Sequence, residues 1–183
     1  MLYLYHLLQN LYQLKNPNLF LENDSRGQLR QRSEDRNGDG TPDLTVYFEN
    51  GVPRRVEERH PNQACLALRT WFNPQGRLIA EEKDSTGNCR FDTWNYYKGE
   101  KLHRQGRDTS GNGQPEVLLI FDESGQVMIQ EWAGPNGRPQ RRVFLDPKGQ
   151  ELRQCIDSQE AGRLDLIVFR KGSEIAETQL DTR

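Results

Sequence analysis

Apolar and polar residues alternate along short segments of this chain, and the pattern recurs at a fixed spacing. The segments Leu44–Phe48 and Val117–Phe121 are rich in β-branched and aromatic residues, which is typical of β-strands. The segments that follow them alternate between apolar and polar residues, as in Val52–Val56 and Leu78–Ala80. A period of two predicts strands with two unlike faces. The chain is therefore predicted to be built from pairs of short strands.

The same unit returns about every 24 residues. Twelve residues after the start of each unit stands a large apolar residue, and a turn with glycine follows a few residues later. The units start at Asp35, His60, Asp84, Asp108, Trp132 and Asp157. The large apolar residues are Tyr47, Phe72, Tyr96, Ile120, Phe144 and Phe169. This register predicts a repeat array.

Each unit reads as strand, tight turn, strand and loop. Glycine in the turn supplies the positive φ that a two-strand hairpin needs. We therefore expect an all-β fold: an antiparallel meander of about six 24-residue β-hairpin repeats, forming an extended, twisted or curled sheet. The partial unit Phe20–Glu34 predicts one more hairpin, whose second strand begins at Leu29.

The leading segment differs from the repeats. Leucines at positions 4, 7, 8, 11 and 14 have helical spacing, so a short N-terminal helix is expected. The predicted organisation is a cap or anchor segment over residues 1–19 and one hairpin array over residues 20–183. The alternatives for the first segment are a cap on the first hairpin, a partner-binding helix and a disordered tail. The segment is a poor signal peptide because it lacks a basic start and a small-residue cleavage site. Whether Met1 is the true start stays open.

Composition favours a thin core with a large solvated surface. Hydrophobic residues make up 33% of the chain, charged residues 28%, and the mean hydropathy is -0.94. The net charge is -2 with lysine and arginine spread along the chain, which argues against a nucleic-acid partner. No apolar run approaches the roughly 20 residues that span a bilayer.

The first loop carries a candidate calcium site. Asp35, Asn37 and Asp39 stand at positions 1, 3 and 5, glycine stands at position 6, and Asp43 stands at position 9. Alternate oxygens in a tight loop can converge on a hard cation. A weaker candidate site uses Asp84, Asn88 and Asp92. The alternative is that these residues form ordinary β-turns and Asx-turns without metal. Calcium would be structural, and no other cofactor is expected.

Cysteines replace the position-6 glycine in two adjacent units. Cys65 and Cys89 are 24 residues apart, and equivalent positions of stacked units lie close together, so a disulfide between them is predicted. Such a bond would place the protein outside the cytoplasm. Cys155 falls in a second strand and is expected to be a buried or free thiol. The alternative is that all three cysteines are free thiols.

A resemblance to a known repeat type rests on Asp35–Gly51 (DRNGDGTPDLTVYFENG) and Asp84–Gly99 (DSTGNCRFDTWNYYKG). These segments resemble the tandem D-x-x-G-D-G-x-P-D…Y-Y…G hairpin repeats of exported proteins and lipoproteins of bacteria. The resemblance covers about residues 35–182. The segments are more distantly similar, in shape, to MORN-type and RHS/YD repeats. It implies a β-meander that serves as a binding platform or shell, and it implies no catalytic residue. Only the Asp35 unit keeps the full acidic loop.

No catalytic constellation is apparent in the sequence, so an enzyme is not predicted. The histidines at positions 6, 60 and 103 are interpreted as surface residues. The carboxylate pairs Glu57/Glu58 and Glu81/Glu82 are interpreted as solvated edges that discourage aggregation.

The predicted function is that of a non-enzymatic scaffold or protein-binding module. The expected partner is another envelope or membrane-complex protein, and the expected location is the periplasm, the outer-membrane surface or the medium. The aromatic candidates for the binding surface are Trp71, Trp94, Tyr97 and Trp132. Two alternatives stay open: a binding protein for envelope glycans, and a cytosolic MORN-like or antitoxin-like interaction module.

Overall fold

The computed structural model describes residues 18–134 and 136–181, and in this range the fold is all-β. The strands run in chain order as an antiparallel meander, which confirms the predicted fold class. The predicted N-terminal helix lies outside the described residues. The strands are β1 (Leu19–Asn23), β2 (Leu29–Glu34), β3 (Leu44–Glu49), β4 (Val52–Arg59), β5 (Leu66–Phe72), β6 (Leu78–Lys83), β7 (Thr93–Lys98), β8 (Lys101–Arg107), β9 (Val117–Phe121), β10 (Val127–Ala133), β11 (Pro139–Leu145), β12 (Glu151–Ile156), β13 (Leu166–Lys171) and β14 (Glu174–Leu180).

The chain divides into two compact units, one ending at Arg90 and the other beginning at Phe91. The first unit contains β1–β6, and β1–β2 is the additional hairpin expected before the repeats. The second unit contains β7–β14. Within each unit, the described strands contact only the strands next to them in the chain. Each unit is therefore one sheet without a second layer among the described residues. No helix among those residues has the length and apolar character needed to cross a bilayer.

The hairpin turns follow two local rules. In two of the two-residue turns both central residues have positive φ, as at Asn50 (52°) and Gly51 (75°), whereas in the turn before β14 only the first central residue, Gly172, does (66°). In the longer turns, an Asp or Asn accepts hydrogen bonds at its Oδ1 from the backbone N–H groups two and four residues later, at 2.8 to 3.0 Å. These residues are Asp24, Asn73, Asp122 and Asp146. The predicted glycine turns are confirmed, because positive φ occurs at each of them.

One register position differs from the sequence-based alignment. Twelve residues after His60 stands Phe72, but the residue that shares a cross-strand row with Tyr47 is Trp71. Arg55 pairs with both Tyr47 and Trp71. The reason is that the unit begins at Arg59 and not at His60. The N–H of Arg59 donates to the carbonyl of Asp43 as the N–H of Asp108 donates to that of Asp92, and Tyr47 and Trp71 keep the 24-residue spacing. A shift of one residue moves a side chain to the other face.

The buried apolar core is small. Among the described residues, the apolar side chains that are buried are Leu119, Val143 and Val168, at 8%, 3% and 4% exposure. All three lie in one cross-strand row of the second unit. In this row a glutamine from a neighbouring strand stands opposite each apolar residue, as in Leu119–Gln130–Val143–Gln154. The thin core expected from composition is present.

Candidate functional site

Carboxylates organise the loop that precedes β3. Asp35 accepts hydrogen bonds at its two oxygens from the N–H groups of Gly38 (2.7 Å) and Gly40 (2.8 Å). Asp43 Oδ2 accepts from the N–H groups of Arg36 (2.7 Å) and Asn37 (3.1 Å). The first and ninth positions of the loop therefore bind its backbone from two sides.

The same arrangement recurs in other loops. The first-position carboxylates accept two or more N–H groups of their own loop, and the ninth-position carboxylates accept N–H groups near its start. The first-position residues are Asp84, Asp108 and Asp157, and the ninth-position residues are Glu116 and Asp165. Strand pairing gives these loop N–H groups no carbonyl partner, so the carboxylates accept their hydrogen bonds instead.

These contacts change the pKa of several carboxyl groups. Burial alone would raise the pKa of Asp84, but the hydrogen bond with His60 and three backbone N–H donors outweigh it and lower the pKa. The same holds for Asp108: desolvation would raise its pKa, but four backbone N–H donors outweigh this effect and lower the pKa. For Asp165, the N–H of Ser158 is the main cause of a lowered pKa. The charged form of each is favoured in the folded state.

In the first loop, the predicted calcium ligands are engaged by protein donors. Asp35 and Asp43 accept backbone N–H groups, and Asp39 accepts from the N–H of Thr41 and the side chain of Asn37. Among the described residues, no group of three or more His, Cys, Asp or Glu side chains is placed to hold a metal ion. Calcium at this loop stays a prediction.

In the loop with the weaker predicted calcium site, the candidate ligands also make hydrogen bonds within the protein. Asn88 donates its backbone N–H to Asp84 and accepts the N–H of Arg90 at its Oδ1 (2.9 Å). Asp92 accepts the hydroxyl of Thr93 at 2.7 Å. These contacts are those of turn-forming residues, and calcium at this loop also stays a prediction.

Two contacts with the same spacing join the second and third loops of the array. Cys65 and Cys89 form the predicted disulfide, with a Cα–Cα distance of 5.4 Å and a separation of 24 residues. His60 Nε2 lies 2.8 Å from Asp84 Oδ2, also 24 residues away. The Asp84 side chain is fully buried and that of His60 is 16% exposed, so His60 is not the simple surface residue expected from the sequence. Cys155 is a free, half-buried thiol.

A row of aromatic rings and an arginine crosses one face of the first unit. The Arg55 guanidinium lies over the Tyr47 ring, 4.0 Å from its centroid, and 5.5 Å from the centroid of Trp71. These residues come from β3, β4 and β5 at paired positions. We call Tyr47, Arg55 and Trp71 the aromatic–arginine row. All three are half-buried, so the row faces solvent in a fixed arrangement.

A charged row runs beside it on the same face. Arg69 donates to Glu57 (3.0 Å) and to Glu82 (2.8 Å), bridging β4 and β6. The Tyr47 hydroxyl donates to the other oxygen of Glu57 at 3.1 Å and joins the two rows. Burial would lower the pKa of Arg69, but Glu82 and Glu57 outweigh it and raise the pKa. The face is thus a preorganised surface of aromatic, cationic and anionic groups.

The paired carboxylates near the loops divide between two faces. Glu57 and Glu82 belong to the charged row, whereas Glu58 pairs with Leu44 and Leu68 on the opposite face. Neighbouring residues of a strand point to opposite faces. The interpretation of these glutamates as a solvated edge is wrong for Glu57 and Glu82, because both bind Arg69.

The other predicted aromatic residues do not form one patch. Trp94 shares a row with Gly106 and Leu118. Trp132 pairs with Val117 and lies on the opposite face, with the guanidinium of Arg141 5.1 Å from its ring centroid. Tyr97 is half-buried and pairs with Leu102 beside a register shift. Of the four, Trp71 alone lies in the aromatic–arginine row.

Sequence reasoning missed the arginines and glutamates of this face. The available signal was strand parity: Arg55 and Glu57 are two residues apart in one strand, as are Arg69 and Trp71 in the next. Parity places each pair on one face, but it does not say which strand positions oppose each other. That required the register.

Comparisons with known proteins leave the chain unassigned. No protein-family model matches it, and no curated protein matches it. The resemblance to bacterial hairpin repeats therefore stays a prediction. Solved structures similar to it include the accessory secretory protein 1,2 and 3 structure of Streptococcus pneumoniae, with a TM-score of 0.39 and 14% identity, covering 50% of this chain and 17% of that one.

Two further solved structures are similar in part. The Gap123 glycosylation-associated complex of Streptococcus agalactiae has a TM-score of 0.34 and 18% identity, covering 74% of this chain and 23% of that one. A variant of S. aureus TarM has a TM-score of 0.25 and 9% identity, covering 83% of this chain and 22% of that one. The chain spans less than a quarter of each of these three structures. At such TM-scores none of them assigns a role to this chain.

Removal of the disulfide tests the link between the loops. Replacing Cys65→Ala and Cys89→Ala together is expected to lower the free energy of unfolding by about 3 kcal/mol, because a loop of this length is no longer closed. Cys89 has a φ of 68°, at the position where four other units have glycine. The pair Cys65→Ala and Cys89→Gly should therefore recover about 1 kcal/mol. Chemical denaturation measures both; equal stability of the two variants would contradict the strained position.

Acid unfolding tests the capped loops. The folded pKa of Asp108 lies below its ordinary value of 3.8, so its contribution is complete above that value and is lost as the pH falls through the folded pKa. Between about pH 5 and about pH 2, Asp108→Asn should lose less unfolding free energy than the parent protein. If the unfolding free energy of Asp108→Asn fell with pH as steeply as that of the parent, the loop contacts of Asp108 would not contribute to stability.

Proposed function

We propose that the protein is a non-catalytic binding module that presents one face of its first unit to another protein. The observation that carries the proposal is the aromatic–arginine row held beside the Glu57–Arg69–Glu82 row. Tyrosine, tryptophan and arginine dominate the binding energy of protein interfaces. The module would act as a scaffold or accessory subunit of a larger complex.

Preorganisation supports a protein partner. Arg55 is already held between two rings, and its Nε lies 3.4 Å from a carboxylate oxygen of Glu57, so little side-chain freedom remains to be lost on binding. Guanidinium groups can still offer donors to a carboxylate or a backbone carbonyl of a partner. The mixture of both charges with half-exposed rings matches the composition of protein interfaces more closely than that of a nucleic-acid site.

The aromatic–arginine row fits an envelope glycan less well than a protein. Sugars dock on an open aromatic face, and the Arg55 guanidinium covers one face of Tyr47 at 4.0 Å. The same guanidinium approaches Trp71. The row therefore favours a protein, whose surface can match both its charge and its shape, over a sugar ring.

The cysteine pair supports an extracytoplasmic location. The Cys65–Cys89 bond links two loops, and disulfides persist in oxidising compartments. We therefore propose that the module works in the cell envelope, and that its partner is an envelope or membrane-complex protein.

Substitution of Arg55 tests the binding face. Arg55→Ala is expected to weaken partner binding about thirtyfold, because it removes a central hot-spot side chain. The partner would first be captured from envelope extract by cross-linking and then purified, and its affinity measured by calorimetry. Circular dichroism would confirm that the variant is folded.

A matched arginine provides the control. Arg30 is in the same unit, its side chain is 68% exposed, and it lies outside the aromatic–arginine row, so Arg30→Ala should leave the affinity within about twofold. Equal losses for both variants, or none for Arg55→Ala, would reject this face. Binding to a glycan array instead of a protein would favour the glycan alternative.

A further inference from the structure

A row of paired residues crosses one face of the second unit from β7 to β12. Each member stands opposite the next one in the strand ladder. Residues directly opposite each other in an antiparallel ladder share a face of the sheet. We call the following six residues the second-unit row: Tyr96, Arg104, Ile120, Ile129, Phe144 and Arg153.

The two arginines of the second-unit row lie over aromatic rings and have no carboxylate partner. The guanidinium of Arg153 lies 3.9 Å from the centroid of Phe144, and that of Arg104 lies 5.7 Å from the centroid of Tyr96. Among the described residues no carboxylate forms an ion pair with either arginine. By contrast, glutamates bind three other arginines of this unit, Arg141, Arg142 and Arg170. The row therefore carries two positive charges that the described residues leave uncompensated.

Apolar side chains separate the two arginines. Ile120 and Ile129 stand opposite each other between them, and both are half-buried. The register shifts of β10 and β12 add Met128 beside Ile129 and Leu152 beside Arg153 as the extra residues of bulges. Met128 is 39% exposed and Leu152 is 51% exposed, although both are large apolar residues. A sheet with such a face gains free energy when another element covers it.

The spacing of the arginines matches the repeat of an α-helix. Arg104 lies on β8 and Arg153 on β12, so four strand spacings separate them, or about 19 Å. In a helix, residues two heptads apart lie on the same face at a separation of about 21 Å. Side chains three, seven and eleven residues after the first lie on that face as well. Two acidic residues of one helix can therefore reach both arginines while apolar residues cover the isoleucines.

A helix fits this face better than an extended segment or a polyanion. The sheet uses its backbone groups in its own ladder, so an extended segment lying across the strands would leave its N–H and C=O groups without partners. A helix satisfies its own backbone groups. A polyanion would place charged groups over Ile120 and Ile129, which costs free energy because those groups lose water.

Charge also excludes two occupants from this chain itself. The leading residues 1–17 contain no aspartate or glutamate, so they offer no carboxylate to the two arginines. The same row of a second copy would bring two further arginines to the face. The complementary partner is acidic and comes from another protein.

We propose that the second-unit row binds an acidic amphipathic helix of another protein, with apolar side chains over Ile120 and Ile129 and one carboxylate at each of Arg104 and Arg153. Such a helix supplies the second layer that the sheet lacks. The inference goes beyond the proposed function, because it concerns a different unit and names a partner of different chemistry.

A designed peptide provides the probe. It is end-capped and rich in alanine and glutamine, with two glutamates fourteen residues apart and leucines three, seven and eleven residues after the first. We expect it to bind the full chain with a Kd below about 1 mM by calorimetry. The same peptide with glutamine at both glutamate positions should bind about tenfold more weakly. Absence of binding by the acidic peptide at about 1 mM would overturn the proposal.

Two further peptides separate specific docking from simple attraction. Moving the second glutamate to nine residues after the first keeps the net charge but places it on the opposite side of the helix, so binding should fall. Proline in place of the alanine after the central leucine keeps the charges and the leucines but breaks the helix, and should abolish binding. Undiminished binding of either peptide would contradict a docked helix.

Substitution of the two arginines tests the charged contacts. Arg104→Gln and Arg153→Gln should each weaken the acidic peptide about threefold, and the double variant about tenfold. Neither change should affect the glutamine peptide. Arg107→Gln is the matched control, since Arg107 is an exposed arginine of the same strand that pairs with Val117 on the opposite face. Circular dichroism would confirm folding. Equal losses for Arg107→Gln and Arg104→Gln would reject the assigned face.

Methyl NMR of the unmodified chain gives a readout that does not depend on variants. The acidic peptide should shift the methyl signals of Ile120 and Ile129 and leave Ile156 unchanged, because Ile156 pairs with Arg141 on the opposite face. If dextran sulfate shifted the first two signals and the peptide did not, the row would be a polyanion site and the proposal would be wrong. Arg55→Ala, which tests the proposed function, should leave these shifts unaltered, so the two proposals fail separately.

Discussion

A sheet with one layer cannot bury a conventional core, and this constraint shapes every local feature of the two units. Three apolar side chains are buried among the described residues, and all lie in one row of the second unit. Burial of that extent supplies only a few kcal/mol. Contacts between neighbouring strands and within loops must supply the rest. Side chains that a layered protein would hide therefore stay within reach of solvent and partners.

Contacts in the loops and on the proposed binding face compensate for the small core in two ways. At the loop edge, carboxylates such as Asp35 and Asp157 bind backbone N–H groups, and the Cys65–Cys89 bond ties two loops together. On the face, Arg55 and Arg69 bridge residues from adjacent strands. The same contacts that hold the strands in register also order the surface that we propose binds a partner. In that proposal, stability and recognition depend on one set of side chains.

The repeat, the hairpins and the disulfide could be predicted because each depends on local spacing. Glycine marks the turns, and Cys65 and Cys89 occupy one position of adjacent units. The row containing Trp71 could not be predicted, because an alignment that starts the unit at His60 instead of Arg59 places Phe72 in that row. The partner of Arg69 depends equally on register. Nor does spacing alone reveal that the loop carboxylates accept hydrogen bonds from backbone N–H groups of their own loop. These N–H groups compete with a cation for the same oxygens.

The central claim is that loop and cross-strand contacts, rather than the core, dominate stability. The most direct measurement compares the unfolding free energies of Asp157→Ala and Val143→Ala in the second unit. Asp157 accepts N–H groups from Ala161 (2.9 Å) and Gly162 (2.6 Å), whose loss should cost about 2 kcal/mol or more. Val143→Ala should cost roughly 1.5 kcal/mol. A cost below about 0.5 kcal/mol for Asp157→Ala, with several kcal/mol for Val143→Ala, would contradict the account.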